Sequence, residues 1–289
     1  MIALCKGNPL PHDARMWVWT RIATRKWEDA WMERLRFAGE ERLTIQYFLN
    51  STRMRMQVYS DHKKTAVQLK KLFGGDYKEL KSSDWLSKLD TKRKPIPIRG
   101  KLLVCDAQPE NLAPGCIPII IPAGMAFGTG DHITTASCLR FLCDIYKDLP
   151  ARWQMLDLGT GSGILAIAGE KLGAYKVDAM DFDPACVRIT KANAKANRCK
   201  LLSVNQSDVL KNAIRGKYDL VTANLFSDVL IAASVRIAGT VKPGGRLILS
   251  GILRTQFEAC CKAFKKQGIK VEKSIVRGKW ASALCRRLP

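Results

Sequence analysis

The chain predicts an α/β fold: a mostly parallel sheet covered by helices on both faces, with a smaller α+β layer ahead of it. Three observations carry this. From residue 154 onward, short apolar β-rich runs alternate with helical patterns, which is the mark of a parallel sheet. One of those runs, Met155-Leu156-Asp157-Leu158, breaks into Gly159-Thr160-Gly161-Ser162-Gly163 and then into the apolar helix pattern Ile164-Leu165-Ala166-Ile167-Ala168. Strand, glycine turn and helix in that order let backbone N–H groups approach a nucleotide-type ligand closely. Residues 1–81 show a different order, β-α-β-β-α-β, without the long alternation.

In that first part, residues 15–23 alternate as a strand, and residues 26–37 have helical periodicity with Trp27, Trp31 and Leu35 on one face. Residues 43–49 and 54–59 read as two strands joined through Asn50-Ser51-Thr52, a hairpin signal. Residues 62–73 form a second amphipathic helix, which Gly74-Gly75 ends before a strand at 77–80. The order suggests a small ferredoxin-like domain over 1–81. Its tryptophans read as core residues rather than stacking platforms for bases. Residues 82–100 form a linker, beginning with a polar, charged stretch whose Lys92-Arg93-Lys94 reads as a solvated turn.

The second domain spans 101–289. It opens with strands at 101–105 and 117–121, then a glycine-rich loop and a helix from 134 to about 146. Strands follow at 154–157, 176–181, 202–205, 220–223 and 246–250, and the chain closes on a hairpin, 269–276 and 281–286, through Gly278-Lys279. That hairpin places one antiparallel strand in an otherwise parallel sheet.

The glycine spacing is informative. A pyrophosphate-binding dinucleotide site expects Gly-x-Gly-x-x-Gly, whereas here the spacing is Gly-x-Gly-x-Gly with Asp157 two residues before Gly159. This tighter pattern resembles the first motif of S-adenosylmethionine-dependent methyltransferases with a Rossmann-like fold. Three signals follow it. The strand 176–181 ends in Asp181, a carboxylate placed to accept ribose hydroxyls. Asp183 and Pro184 suit the N-cap and first position of the next helix. After the strand 202–205 comes Asp208, which reads either as an acceptor for the adenine amine or as a solvated loop acid. The run Tyr218-Asp219-Leu220-Val221-Thr222-Ala223 ends in Asn224, at the carboxyl edge where open α/β sheets place ligands.

The segment Phe127-Gly128-Thr129-Gly130-Asp131-His132-Ile133-Thr134-Thr135, together with Asn224-Leu225 and the run from Lys242-Pro243-Gly244-Gly245 to Leu253, closely resembles the ribosomal protein L11 methyltransferases (PrmA). Their signature, Phe-Gly-Thr-Gly-x-His-x-Thr-Thr, is matched at every fixed position. The likeness runs from about Pro95 to the C-terminus, and before it is one of layout. The resemblance implies a seven-stranded Rossmann-like methyltransferase sheet, with a ferredoxin-like domain recognising the protein substrate. It implies a cytoplasmic enzyme that moves methyl groups from S-adenosyl-L-methionine to amino groups of a ribosomal protein at the base of the large-subunit stalk. By the same resemblance, Phe127, Gly128, Thr129 and Gly130 would close over the methionine end of the cofactor, with Thr134 near its polar groups. Asp157, Gly159 and Gly161 belong to the cofactor set, Asp181 would hold the ribose and Asp208 the adenine. Asn224 would belong to the cofactor set too, facing the methyl group and the incoming amine as the catalytic residue. His132 is either a general base, since neutral imidazole is available near pH 7, or a helix-start residue.

Composition adds a constraint. Residues 1–100 hold 21 Lys and Arg against 11 Asp and Glu, and the rest hold 27 against 15, for a net charge of +22. Charge of that sign favours anionic partners such as ribosomal RNA, although a basic bias across a proteome gives the same balance. The ten cysteines are scattered without Cys-x-x-Cys spacing and there are three histidines, so buried free thiols are expected rather than a disulfide framework or a metal site. The N-terminal residues 1–10 lack the apolar core of a signal peptide, and no apolar run reaches the ~20 residues of a membrane span. Rival readings stay open: methylation of another protein's lysine or of RNA, or a cofactor-binding ribosome assembly factor that transfers nothing.

Overall fold

A computed structural model describes residues 16–35, 43–48, 51–60, 62–80, 94–122, 130 and 132–289. The chain forms two compact units, one holding the N-terminal elements and one holding everything from residue 94 onward among the described residues.

The first unit consists of β1 (Met16–Thr24), α1 (Glu28–Leu35), β2 (Leu43–Tyr47), β3 (Arg53–Ser60), α2 (Lys63–Phe73) and β4 (Asp76–Leu80). The antiparallel sheet has the order β2-β3-β1-β4, which with the β-α-β-β-α-β succession is a ferredoxin-like arrangement. Alternate residues of the two central strands, Trp19 with Met54, Met56 and Val58, form the core with Trp31, Leu35, Ala66 and Leu69 of the helices. Trp27 departs from the expected stripe and is 59% exposed. It lies in a 3₁₀ turn, Arg25–Trp27, ahead of α1. There the period is 3.0 residues rather than 3.6, so Trp27 falls off the line of Trp31 and Leu35. Asn50 of the expected turn and most of the connector, 82–93, lie outside the described residues.

The second unit begins with a three-stranded sheet, β5 (Ile96–Ile98), β6 (Leu102–Cys105) and β7 (Ile117–Ile120). The large sheet follows. Its strands are β8 (Gln154–Leu158), β9 (Lys176–Asp181), β10 (Leu202–Gln206), β11 (Tyr218–Asn224), β12 (Val241–Leu253), β13 (Ile269–Arg277) and β14 (Trp280–Arg287), in the order β10-β9-β8-β11-β12-β14-β13. All neighbours run parallel except β14, which is antiparallel to both β12 and β13. This is the seven-stranded Rossmann-like sheet that the resemblance implies. Helices α3 (Ile133–Ile145), α4 (Ile164–Lys171), α5 (Pro184–Ala196), α6 (Ser227–Ala232), α7 (Ser234–Thr240) and α8 (Phe257–Lys265) cover it. One apolar cluster packs α3 and α4 on one side of the sheet, and a second packs the α6–α8 side. The central strands β8 and β11 are buried on both faces, so they read as continuous apolar runs.

Candidate functional site

The site is built where β8, β9 and β11 end. β8 lies between β9 and β11 in the sheet, so the loops after all three meet at one rim. The β8–α4 loop is shaped by left-handed glycines, with φ of 67° at Gly159, 56° at Gly161 and 82° at Gly163. A Cβ on Gly159 would sit 2.3 Å from Leu225 Cδ2, in the loop after β11. The loop is tied back to β9, because the amides of Gly159 and Thr160 donate to the Met180 carbonyl at 2.8 and 3.0 Å. It is tied to α5 as well: Thr190 Oγ1 donates to the Gly161 carbonyl at 3.0 Å and Asn193 Nδ2 to the Ser162 carbonyl at 2.8 Å.

Asp181, at the end of β9, accepts from the Gly161 amide at 2.9 Å and from the Asp183 amide at 3.0 Å. Burial pushes its carboxyl above the ordinary range, opposed by those backbone donors. Each carboxylate oxygen has two lone pairs, so both keep acceptor capacity for ligand hydroxyls. Asp183 caps α5 through the Ala185 amide, with Pro184 in the first turn.

Asp157 is buried, and its two oxygens accept from Thr160 Oγ1 at 2.6 Å and Thr222 Oγ1 at 2.5 Å. Burial raises its pKa to about 6, the two threonine hydroxyls lower it, and nearby Asp181 raises it. Two acidic groups thus lie under the glycine loop.

Asn224 closes β11. Its Nδ2 donates to Thr135 Oγ1 at 3.3 Å, while its Oδ1 is a buried acceptor without a partner, the one such side-chain atom among the described residues. An unmade hydrogen bond at a buried acceptor costs about 1–3 kcal/mol. Its presence at the strand's carboxyl end is a structural sign of a donor supplied by a ligand.

Over residues 14–287 the sequence matches the family described as "Ribosomal protein L11 methyltransferase (PrmA)". The chain belongs to the ribosomal protein L11 methyltransferase (PrmA) family. A relative from Dechloromonas aromatica, a ribosomal protein L11 methyltransferase, is 34% identical over 74% of this chain and 70% of its own length. Another of that name, from Caldanaerobacter subterraneus subsp. tengcongensis, is 38% identical over 76% and 72%. Among such relatives the matched part falls as low as 63% of their own length. The crystal structure of a ribosomal protein L11 methylase from Lactobacillus delbrueckii subsp. bulgaricus superposes with a TM-score of 0.60 and 26% identity, over 68% of this chain and all of that one. This PrmA-family protein is a methyltransferase, and S-adenosyl-L-methionine is its methyl donor. The residues present fit that donor: a left-handed glycine cradle, a carboxylate at Asp181 with acceptor capacity left for ribose hydroxyls, and an open acceptor at the rim.

The remaining PrmA signature residues fall as follows. Phe127, Gly128 and Thr129 lie outside the described residues. Gly130, with φ of 94°, sits against Val104 and Ile164, over the start of the glycine-loop helix. Thr134 is buried; its amide donates to His132 Nδ1 and its carbonyl accepts from Ser250 Oγ at 3.3 Å. His132 is the N-cap of α3, its ring edge-on to Trp280 at 5.4 Å between centroids, the geometry of a helix-start residue. Asp208 accepts from the Leu210 amide at 2.9 Å and pairs with Lys211 at 3.4 Å, so its carboxylate is engaged within its own turn.

Thr135, Thr160, Thr222 and Leu225 complete the rim, and local pattern did not assign them roles. Thr135 was visible as the last signature position, and Thr160 as the residue between the first two glycines. Thr222 and Leu225 carry no such mark, since their partners lie 65 residues away at Asp157 and across the loop at Gly159. Nine described cysteines are free, four of them buried. Desolvation pushes the thiols of Cys138 and Cys260 up to about 12, which removes them as thiolate nucleophiles. Among the described residues no group of His, Cys, Asp or Glu is arranged to hold a metal ion, and no helix is long and apolar enough to cross a membrane.

Proposed function

We propose that this protein transfers methyl groups from S-adenosyl-L-methionine to amino groups, of lysine side chains or the N-terminus, of ribosomal protein L11 in the cytoplasm, at the base of the large-subunit stalk. The observation that carries the reading is the unpartnered Asn224 Oδ1 at the rim of the glycine loop. Bound in the cradle, S-adenosylmethionine supplies an electrophilic methyl on a sulfonium. Gly159 and Gly161 would permit its close approach and Asp181 would accept from its ribose hydroxyls, and by the family resemblance Phe127 to Gly130, with Thr134, would border its methionine end. Asp157 acts beneath the loop, holding Thr160 and Thr222, and Asp208 orders the turn on the adenine side.

Asn224 meets the nucleophile. Methyl transfer is an in-line displacement, so the protein's task is alignment and exclusion of water. The Asn224 carbonyl accepts one N–H of a neutral amine and sets its lone pair on the transfer axis. A neutral acceptor adds no charge that would hold the amine as ammonium. Thr135 fixes the amide by taking its Nδ2 hydrogen bond. A lysine costs about 4–5 kcal/mol to deprotonate at pH 7, and loss of that proton to water before alignment needs no strong base at the rim. The domain over 1–81 recognises the protein substrate in this reading.

Asn224→Ala tests it. Cofactor affinity by calorimetry stays at the wild-type level, while methyl incorporation into purified L11 falls about 10²-fold or more, the scale of a lost alignment. Undiminished incorporation would overturn the role of Asn224. Transfer to RNA or to another protein instead of L11 would move the substrate assignment, and a wild-type protein that binds cofactor but transfers nothing would be a scaffold.

A further inference from the structure

The outer face of α3 gathers positive charge that methyl transfer does not use. Arg140 and Asp144 of α3 lie four residues apart and share one face, and Lys147 follows in the 3₁₀ turn Tyr146–Asp148. The tight β5–β6 turn brings Arg99, itself in a left-handed conformation with φ of 53°, to Asp144, its Nε at 2.9 Å and its Nη2 at 3.0 Å. Lys101 from the same turn and Lys147 both lie over the Tyr146 ring, at 5.9 and 6.0 Å from its centroid. On edge strand β13, Lys273, Ile275 and Arg277 alternate onto one side. Ile275 packs against the apolar cluster that contains α3, and Lys273 reaches Asp144 at 3.5 Å.

Six cations therefore converge, and Asp144 is shared between two of them. Among the described residues Arg140 and Arg277 pair with no carboxylate. Their mutual proximity shows in Arg140, whose guanidinium is pushed below its usual range by burial and then by the Arg277 and Arg99 charges. The cations extend from α3's last turns toward the rim, where Arg277 pairs in register with Trp280 and Trp280 packs on His132. Six cations spread over several elements exceed what one phosphate can engage, and they match a repeating phosphodiester.

We propose that this patch of α3, the β5–β6 turn and β13 is a docking surface for the phosphate backbone of RNA. It goes beyond the methyl-transfer reading and does not depend on it. The full chain is titrated against labelled duplex RNA by fluorescence anisotropy between about 50 and 200 mM salt. Neutralising about four phosphates gives a slope near −3.6 in log affinity against log salt, and a fall of roughly a hundredfold over that range. Lys273→Gln with Arg277→Gln, both exposed, lowers the slope by about two and weakens binding alike for all sequences. S-adenosylmethionine affinity is unchanged in this variant, which shows that it is folded. Lys191→Gln with Lys195→Gln, on α5 and away from the patch, leaves the slope as in wild type. The proposal fails if the patch variant binds RNA like wild type. It also fails if the α5 variant weakens binding as much, or if anionic lipid vesicles are bound and duplex RNA is not.

Discussion

At the residue scale, Asp157 and Asn224 show how the site stores unfavourable groups. Asp157 has a folded-state pKa of about 6 against an ordinary 3.8, so the folded protein favours its protonated form. Its burial carries no ionisation penalty below about pH 4. Between about pH 4 and 6 the unfolded chain ionises this acid while the folded state keeps the proton, so stability falls across that window by an amount on the order of 3 kcal/mol and is level above it. Asp157→Asn removes that titration while keeping groups that can bond the hydroxyls of Thr160 and Thr222. In urea unfolding, the variant gains on the wild type between pH 4 and 7 by about that amount. A difference that stays constant with pH would mean that Asp157 remains ionised throughout. Asp157 was legible as a cofactor-set residue from its place before Gly159. That it is occupied by two threonine hydroxyls was not, because one donor comes from a strand 65 residues on.

Among the elements, the two glycines that touch Leu225 make a contrast. A Cβ at Gly159 would strike the Leu225 Cδ2, the far end of a flexible side chain, whereas at Gly251 it would strike the Leu225 carbonyl oxygen at 2.5 Å and its backbone carbon at 2.9 Å. Both have positive φ, which alone costs about 1–2 kcal/mol for a residue with a Cβ. Gly159→Ala therefore loses about that much stability as Leu225 turns aside. Gly251→Ala loses more, because backbone next to Asn224 must move, and its methyl transfer falls further than its cofactor affinity. Equal losses in the two variants, measured by urea unfolding, would contradict this. Long periodic elements such as β9 were readable to the residue, since apolar alternation and the terminal Asp181 both mark its end. The small sheet was only partly readable. β5 is the three residues Ile96-Pro97-Ile98, and a proline inside a short run argues against a strand. It is tolerated because β5 is at the sheet's edge, paired to β6 alone.

For the whole molecule, the topology and the charge carry different information. The order β10-β9-β8-β11-β12-β14-β13 was foreshadowed by the strand-helix alternation and the closing hairpin, because connection rules leave few other arrangements. The net charge of +22 was legible as a sum but not as a place. The gathering of α3, the β5–β6 turn and β13 joins residues from 99 to 277, which only the fold brings together. The central claim concerns the cradle between β8, β9 and β11, and it is tested most directly by isothermal calorimetry of the purified chain with S-adenosyl-L-methionine and with its demethylated product. The account predicts saturable binding of both at one site per chain, abolished by disrupting Asp181 and kept in Asn224→Ala. No measurable heat with either ligand, confirmed by equilibrium dialysis, would contradict it.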